Sequence, residues 1–245
     1  MNLNYLRQAV VIARTEFLLR DQGTFLGFFW TLINPLLLFL SLFGVFFNKA
    51  ENAPASYAVY LLTGILIWNF FSNTTSTLGL IILTRGQYLH SSTIKLTTLM
   101  TASLLVQTAI SILEGMIGFL LLYLFFGAPF SNLFLFVLSI LLTTPLALLL
   151  GVVLVWFQSK LNDTSRLWGL ALRIGFFLTP IFYYKPQNPI LGSLQSYNPI
   201  VPALSFARGE IQFLTVIPQT LLLLILAVCA LLITERNRAK LVELQ

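Results

Sequence analysis

The chain has 245 residues, 58% of them hydrophobic, 14% aromatic and only 9% charged, with a mean hydropathy of +0.89. A water-soluble domain carries about 25% charge, so this composition excludes a soluble enzyme, a disordered tail and a nucleic-acid-binding protein, in spite of the net charge of +6. The single cysteine, Cys229, excludes an intrachain disulfide, and with one histidine, His90, it cannot build a metal-ligand cluster.

Residues 1–24 read as an amphipathic helix lying on the inner membrane surface. Leu3, Leu6, Val10, Ala13 and Phe17 recur at steps of three and four, and Arg7 and Arg14 share another face. Six long runs then follow, within a single domain over residues 25–245: Phe25 to Phe47, Tyr57 to Leu83, Leu96 to Phe126 (the span itself over 100–126), Leu133 to Phe157, Leu167 to Tyr184 and Phe213 to Ile233. The charged residues within them are Glu114 and Arg173. Runs of about 18 residues or more cross a hydrocarbon core of roughly 30 Å as helices. None shows the alternation of barrel strands. The predicted fold is therefore all-α: a polytopic membrane protein with six transmembrane helices. Between the last two runs, residues 185–212 hold Pro186, Pro189, Pro199 and Pro202 among apolar side chains. Short re-entrant or interfacial helices are expected there.

Lysine and arginine set the orientation. Arg7, Arg14 and Arg20, then Arg85 and Lys95, Lys160 and Arg166, and Arg236, Arg238 and Lys240 fall on one side, against Lys49, Lys185 and Arg208 on the other. The positive-inside rule places both termini in the cytoplasm of a multi-pass cytoplasmic (inner) membrane protein. Ala53-Pro54-Ala55 follows an apolar run of 23 residues, whereas a cleaved signal has about 7 to 15, so the first run is expected to remain as a span.

Catalytic motifs are missing. There is no G-x-x-x-x-G-K-[ST] phosphate cradle, no H-E-x-x-H and no G-x-S-x-G, and His90 reads as a polar loop residue. The expectation is a chain that is not an enzyme and holds no cofactor of its own. An ionisable group near a helix centre costs about 2.5 to 3.5 kcal/mol on insertion scales and ordinarily faces a partner or water. At 1.5 Å per residue, Arg173 lies about 9 Å and Glu114 roughly 12 Å from the inner edge of the core. Two readings stand: the pair meets or lines one polar cavity, or Arg173 snorkels to the headgroups while Glu114 is protonated in packed surroundings.

Aromatic and amide side chains also cluster. Phe28, Phe29, Trp30 and Asn34 are in the first run, Tyr60, Trp68, Asn69, Phe70, Phe71 and Asn73 in the second, and Tyr183 and Tyr184 end the fifth. Rings stack on sugar faces and amides bond hydroxyls, which suits a carbohydrate pathway, although a single Trp or Tyr is more often an interface anchor. The candidate pathway is Phe28, Phe29, Trp30, Asn34, Tyr60, Trp68, Asn69, Tyr183 and Tyr184.

The stretch from Arg20 through Leu26-Gly27-Phe28-Phe29-Trp30 to Asn34-Pro35 resembles the first span of ABC-2 type polysaccharide export permeases. Tyr60 through Trp68-Asn69-Phe70-Phe71 is similar to their second span, Thr179-Pro180-Ile181-Phe182-Tyr183 to the end of their fifth, and Asn198-Pro199 through Phe206 and Arg208 to their re-entrant segment. The resemblance implies a homodimer joined to two separate ABC nucleotide-binding subunits, which would carry ATP and Mg. It also implies export of lipid-linked polysaccharide such as O-antigen, capsule or teichoic acid. It implies ATPase coupling through Arg7, Arg14, Arg85, Tyr88, His90, Lys95, Lys160, Asp163 and Arg166. The sequence departs from the family at Asp21, at Tyr88-Leu89-His90-Ser91-Ser92 and at Asn162-Asp163. Two alternatives share the topology: an ABC-2 exporter of a drug or small lipid, and a membrane-embedded transferase acting on lipid-linked sugars, which should show clustered acids or histidines at one membrane face.

Overall fold

The computed structural model describes residues 3–19, 27–46, 54–85, 94–183, 189–237 and 241, and among these every regular element is helical. In chain order they are α1 (Leu3–Leu19), α2 (Gly27–Phe46), α3 (Pro54–Gly79), α4 (Leu96–Phe126), α5 (Ser131–Gln158), α6 (Thr164–Leu178), α7 (Pro189–Ser196), α8 (Val201–Ala207) and α9 (Phe213–Arg236). A further helical turn covers residues 81–85. Among the described residues five helices, α2, α3, α4, α5 and α9, are long and apolar enough to cross a membrane.

The fifth expected span is the exception. α6 has 15 residues, about 22 Å at 1.5 Å per residue, short of a 30 Å core. Its early stop is local chemistry. Pro180 pushes Thr179 into an extended conformation (φ −84°, ψ 141°), and the Thr179 N–H and hydroxyl both donate back to the Gly175 carbonyl at 2.9 and 2.8 Å. α4 ends differently. Gly127 takes the left-handed conformation (φ 64°) that favours glycine, its N–H reaches Tyr123 O at 3.1 Å, and the next N–H reaches Leu122 O at 3.4 Å.

The core forms around α3, α4 and α5, with α8 inserted beside them. Leu61, Leu62, Ile65, Leu66, Phe119, Phe136, Ile140, Ile181 and Leu204 are buried in one cluster. Glycine lets the helices approach. A Cβ on Gly151 of α5 would sit 2.5 Å from Leu78 Cβ of α3, and one on Gly79 of α3 would sit 2.9 Å from Leu154 Cβ of α5. These two leucine-into-glycine contacts are reciprocal and set the α3–α5 register, as small residues do in helix pairs inside lipid.

α2 and α9 are peripheral. Only 11% of Phe29–Phe46 and 17% of Phe213–Arg236 is buried inside the subunit. α2 and α6 turn Phe29, Trp30, Leu37, Leu40, Leu170 and Ile174 outward, so lipid or another chain must cover them.

α1 packs along the first half of α4. Its buried residues are Ala9 and Ala13, with Ile12 and Phe17 against Ala102, Val106 and Ile110, and the Tyr5 hydroxyl donates to Thr97 O at 2.9 Å. Val10, expected on the apolar face, is 55% exposed. The alanines allow close contact with α4, and Val10 and Val11 are left on the uncovered side. The side chains of Leu3 and Leu6 lie outside the described residues.

The expected short helices before the last span are α7 and α8, within residues 185–212. Ala203, Leu204, Phe206 and Ala207 of α8 are buried against α3 and α5.

Candidate functional site: a polar groove between α2, α3 and α6

A cavity of about 560 Å³ opens between α2, α3 and α6. Asn34 and Pro35 line it from α2, Trp68, Asn69, Ser72 and Ser76 from α3, and Leu172, Arg173, Phe176 and Phe177 from α6. The α3 residues fall at i, i+1, i+4 and i+8, so one helical stripe supplies them. Gly175 makes room on α6: a Cβ there would meet the Trp68 ring at 2.8 Å, so the indole lies against the helix backbone. The Trp168 N–H donates to Thr75 Oγ1 at 3.1 Å and ties α6 to α3 lower down.

Behind this wall lies Glu114, 4% exposed. Asn69 Nδ2 donates to Glu114 Oε2 at 3.0 Å, and Asn73 Nδ2 donates to Asn69 Oδ1 at 3.2 Å. The Asn69 amide is thereby held in one orientation, one N–H toward α4 and its oxygen toward Asn73. The ion pairs among the described residues are Arg85–Glu16 and Arg166–Asp163. Glu114 and Arg173 thus make no direct pair. Asn69 stands between them, bonded to Glu114 and lining the groove that Arg173 also lines. Arg173 is exposed within the subunit and lines the groove together with Gly169, one turn earlier on α6.

Of the pathway candidates, the groove gathers Asn34, Trp68 and Asn69. Phe29 and Trp30 sit on the exposed outer face of α2. Phe28's side chain and Tyr184 lie outside the described residues. Tyr60 and Tyr183 belong to a separate structural knot. Where α6 breaks off, the Tyr60 hydroxyl lies 3.1 Å from Pro180 O and 2.8 Å from Tyr183 O. Arg208 Nη2 donates to Ile181 O at 3.4 Å and the Tyr57 hydroxyl to Phe182 O at 3.0 Å. Three side chains thus serve the carbonyls of residues 180–183, the single Tyr60 proton being shared between two of them, the substitute that irregular backbone at membrane depth needs. The Arg208 guanidinium also stacks 3.4 Å from the Tyr60 ring centroid. Sequence reasoning missed Ser72, Ser76, Phe176 and Phe177. The polar stripe on α3, at helical spacing from Asn69, was the available signal.

At the opposite end of the bundle, Arg7, Arg14, Lys95, Lys160, Asp163 and Arg166 are exposed, with Arg166 and Asp163 paired at 3.0 Å. Tyr88 and His90 lie outside the described residues. Arg85 differs from its companions. Nη1 donates to Ser103 Oγ of α4 at 3.0 Å and Nη2 pairs with Glu16 of α1, so it joins three elements internally. Glu235 of α9 accepts the Thr97 N–H at 2.9 Å, placing a carboxylate at the positive end of α4.

Several apolar spans, a polar groove between them and a cationic end mark a multi-pass membrane protein. Residues 7–211 match the model of the ABC-2 type transporter family, and the chain belongs to that family. It is a permease chain and not an enzyme. It is similar to the O-antigen export system permease protein RfbA of Klebsiella pneumoniae, 24% identical over 208 residues that cover 81% of this chain and 78% of the relative. It is also similar to the protein of that name from Myxococcus xanthus, 26% identical over 208 residues, with 78% of each covered.

Proposed function

We propose that this chain is the transmembrane subunit of an ATP-driven exporter that moves lipid-linked polysaccharide of the O-antigen type across the cytoplasmic membrane. The observation that carries the reading is the groove. Amides, hydroxyls, an arginine and aromatic rings converge between α2, α3 and α6, in a chain whose relatives bear the name of O-antigen export permeases. The uncovered apolar faces of α2 and α6 support a homodimer in which two grooves face one passage. In this reading α6 and the irregular segment after it make the fifth of six crossings, residues 1–24 are the interfacial helix, and both termini are cytoplasmic. Two nucleotide-binding subunits supply ATP and Mg.

Deleting the gene should leave lipid-linked glycan accumulating inside the cell and strip it from the surface. Normal surface polysaccharide after a clean deletion would overturn the assignment. A drug-sensitivity phenotype in that strain would favour the small-molecule exporter instead.

Coupling to the ATPase subunits is assigned to the exposed residues Arg7, Arg14, Lys95, Lys160, Asp163 and Arg166. Arg85 holds α1 against α4 for them. Arg85→Glu is expected to weaken that attachment by about 1–3 kcal/mol and to lower transport at least tenfold, with the ATPase subunits still hydrolysing ATP. The swap Arg85→Glu with Glu16→Arg should recover a measurable part of transport. No recovery in the double variant would show that Arg85 acts by another route.

A further inference from the structure

The groove contains a charge that export of a neutral sugar does not require. Arg173 sits nine residues into α6, about two and a half turns from its start, at a depth where a cation costs about 2.5–3.5 kcal/mol unless something answers it. No acid lines the groove with it. Among the described residues, Glu16 pairs with Arg85, Asp163 with Arg166, Glu235 accepts the Thr97 amide and Glu114 accepts from Asn69. Glu210 lies beyond α8, at the opposite end of the bundle from the cationic turn.

What surrounds Arg173 is a set of hydrogen-bonding groups. Asn34, Asn69, Ser72 and Ser76 line the same cavity of about 560 Å³, with Trp68, Phe176 and Phe177 as its aromatic wall. The Asn69 amide nitrogen has two hydrogens, and one is committed to Glu114. The bond from Asn73 holds the amide oxygen, so the second hydrogen remains available on the groove side. Glu114 itself is not part of the cavity lining. The Asn69 amide separates it from the groove.

A guanidinium with five N–H donors in a planar fork matches the oxygens of a phosphoryl group, and amide and hydroxyl donors complete such a shell. We propose that Arg173, supported by Asn34, Asn69, Ser72 and Ser76, binds the phosphoryl group that joins the exported glycan to its lipid. This inference rests on the export reading above and adds the anionic headgroup as the feature recognised inside the membrane. Sugars would pass the aromatic wall, and the lipid tail would leave through the open α2–α6 side.

The test uses the permease with its nucleotide-binding subunits in nanodiscs, with polyprenyl diphosphate free of sugar as probe. Uncharged polyprenol is the control, phosphatidylglycerol the competitor, and native mass spectrometry the readout. Arg173→Gln should weaken diphosphate binding at least tenfold and leave polyprenol binding unchanged, while Arg173→Lys should retain an intermediate affinity. Matching thermal unfolding would show that the variants are folded. Wild-type affinity in Arg173→Gln would overturn the proposal. Displacement of the probe by phosphatidylglycerol at equal concentration would also overturn it, assigning Arg173 to bulk lipid headgroups. Because the probe carries no glycan, its binding is judged separately from the gene-deletion result: failure of export would leave the diphosphate measurement intact, and the reverse.

Discussion

Gly151→Ala should destabilise the protein by about 1–3 kcal/mol or more, a large effect for one methyl group. The added Cβ would lie 2.5 Å from Leu78 Cβ and 2.8 Å from its Cδ1. A Cβ cannot swing aside as a side-chain tip can, so α3 and α5 must move apart, and the Gly79–Leu154 contact in the same interface opens with them. Thermal unfolding of the detergent-purified protein should show a clearly lowered midpoint. Gly44→Ala is the control, because nothing lies within 4 Å of its added Cβ and alanine is the better helix former. Its midpoint should stay the same or rise slightly. Equal midpoints for Gly151→Ala and wild type would show that the α3–α5 register does not depend on this contact.

The second large effect concerns the knot that replaces the missing end of α6. Arg208→Ala removes the stacking on Tyr60 and the bonds to Tyr60 O and Ile181 O, and about 2–4 kcal/mol should be lost. Tyr60→Phe keeps the ring and loses the hydroxyl that serves Pro180 O and Tyr183 O, so a smaller loss of about 1–3 kcal/mol is expected. A Cβ on Gly64 would come 2.8 Å from Arg208 Nη2 and 3.1 Å from Ile181 O. Gly64→Ala therefore strains the same site, and its effect should be less than additive with Arg208→Ala. Thermal unfolding measures the magnitudes, and faster proteolysis after residue 179 would localise them. Strict additivity of the two substitutions would count against a shared knot.

Much of the helical plan was legible in the sequence, because partition into lipid is a sum of local terms. The run Leu96 to Phe126 is α4 to the residue, and Leu133 to Phe157 falls within α5. α6 was less legible. The apolar run continues to Tyr184, but helix geometry fails at Thr179–Pro180, and hydropathy does not register a missing N–H. The packing of α1 was not legible: periodicity gives its apolar residues, but contact with α4 selects the small side chains of Ala9 and Ala13.

The candidate site was legible as residue types and not as partners. Asn34, Trp68 and Asn69 stood out as amides and aromatics, and the structure sets them around one groove. Tyr60 and Tyr183 stood out equally and instead hold broken backbone. Arg85 read as a coupling residue like its neighbours, yet it bonds Glu16 and Ser103 within the subunit.

By itself the sequence determined that this is a helical membrane protein with a basic side, and that Glu114 and Arg173 are charges where charge is costly, since transfer free energies act residue by residue. The tertiary structure decided that Glu114 is answered by Asn69 while Arg173 faces a cavity. That depends on the rotation and register of α3, α4 and α6, which are set by contacts between segments far apart in the chain: glycines against leucines, Gly175 against Trp68, and tyrosines against the carbonyls of another helix's end.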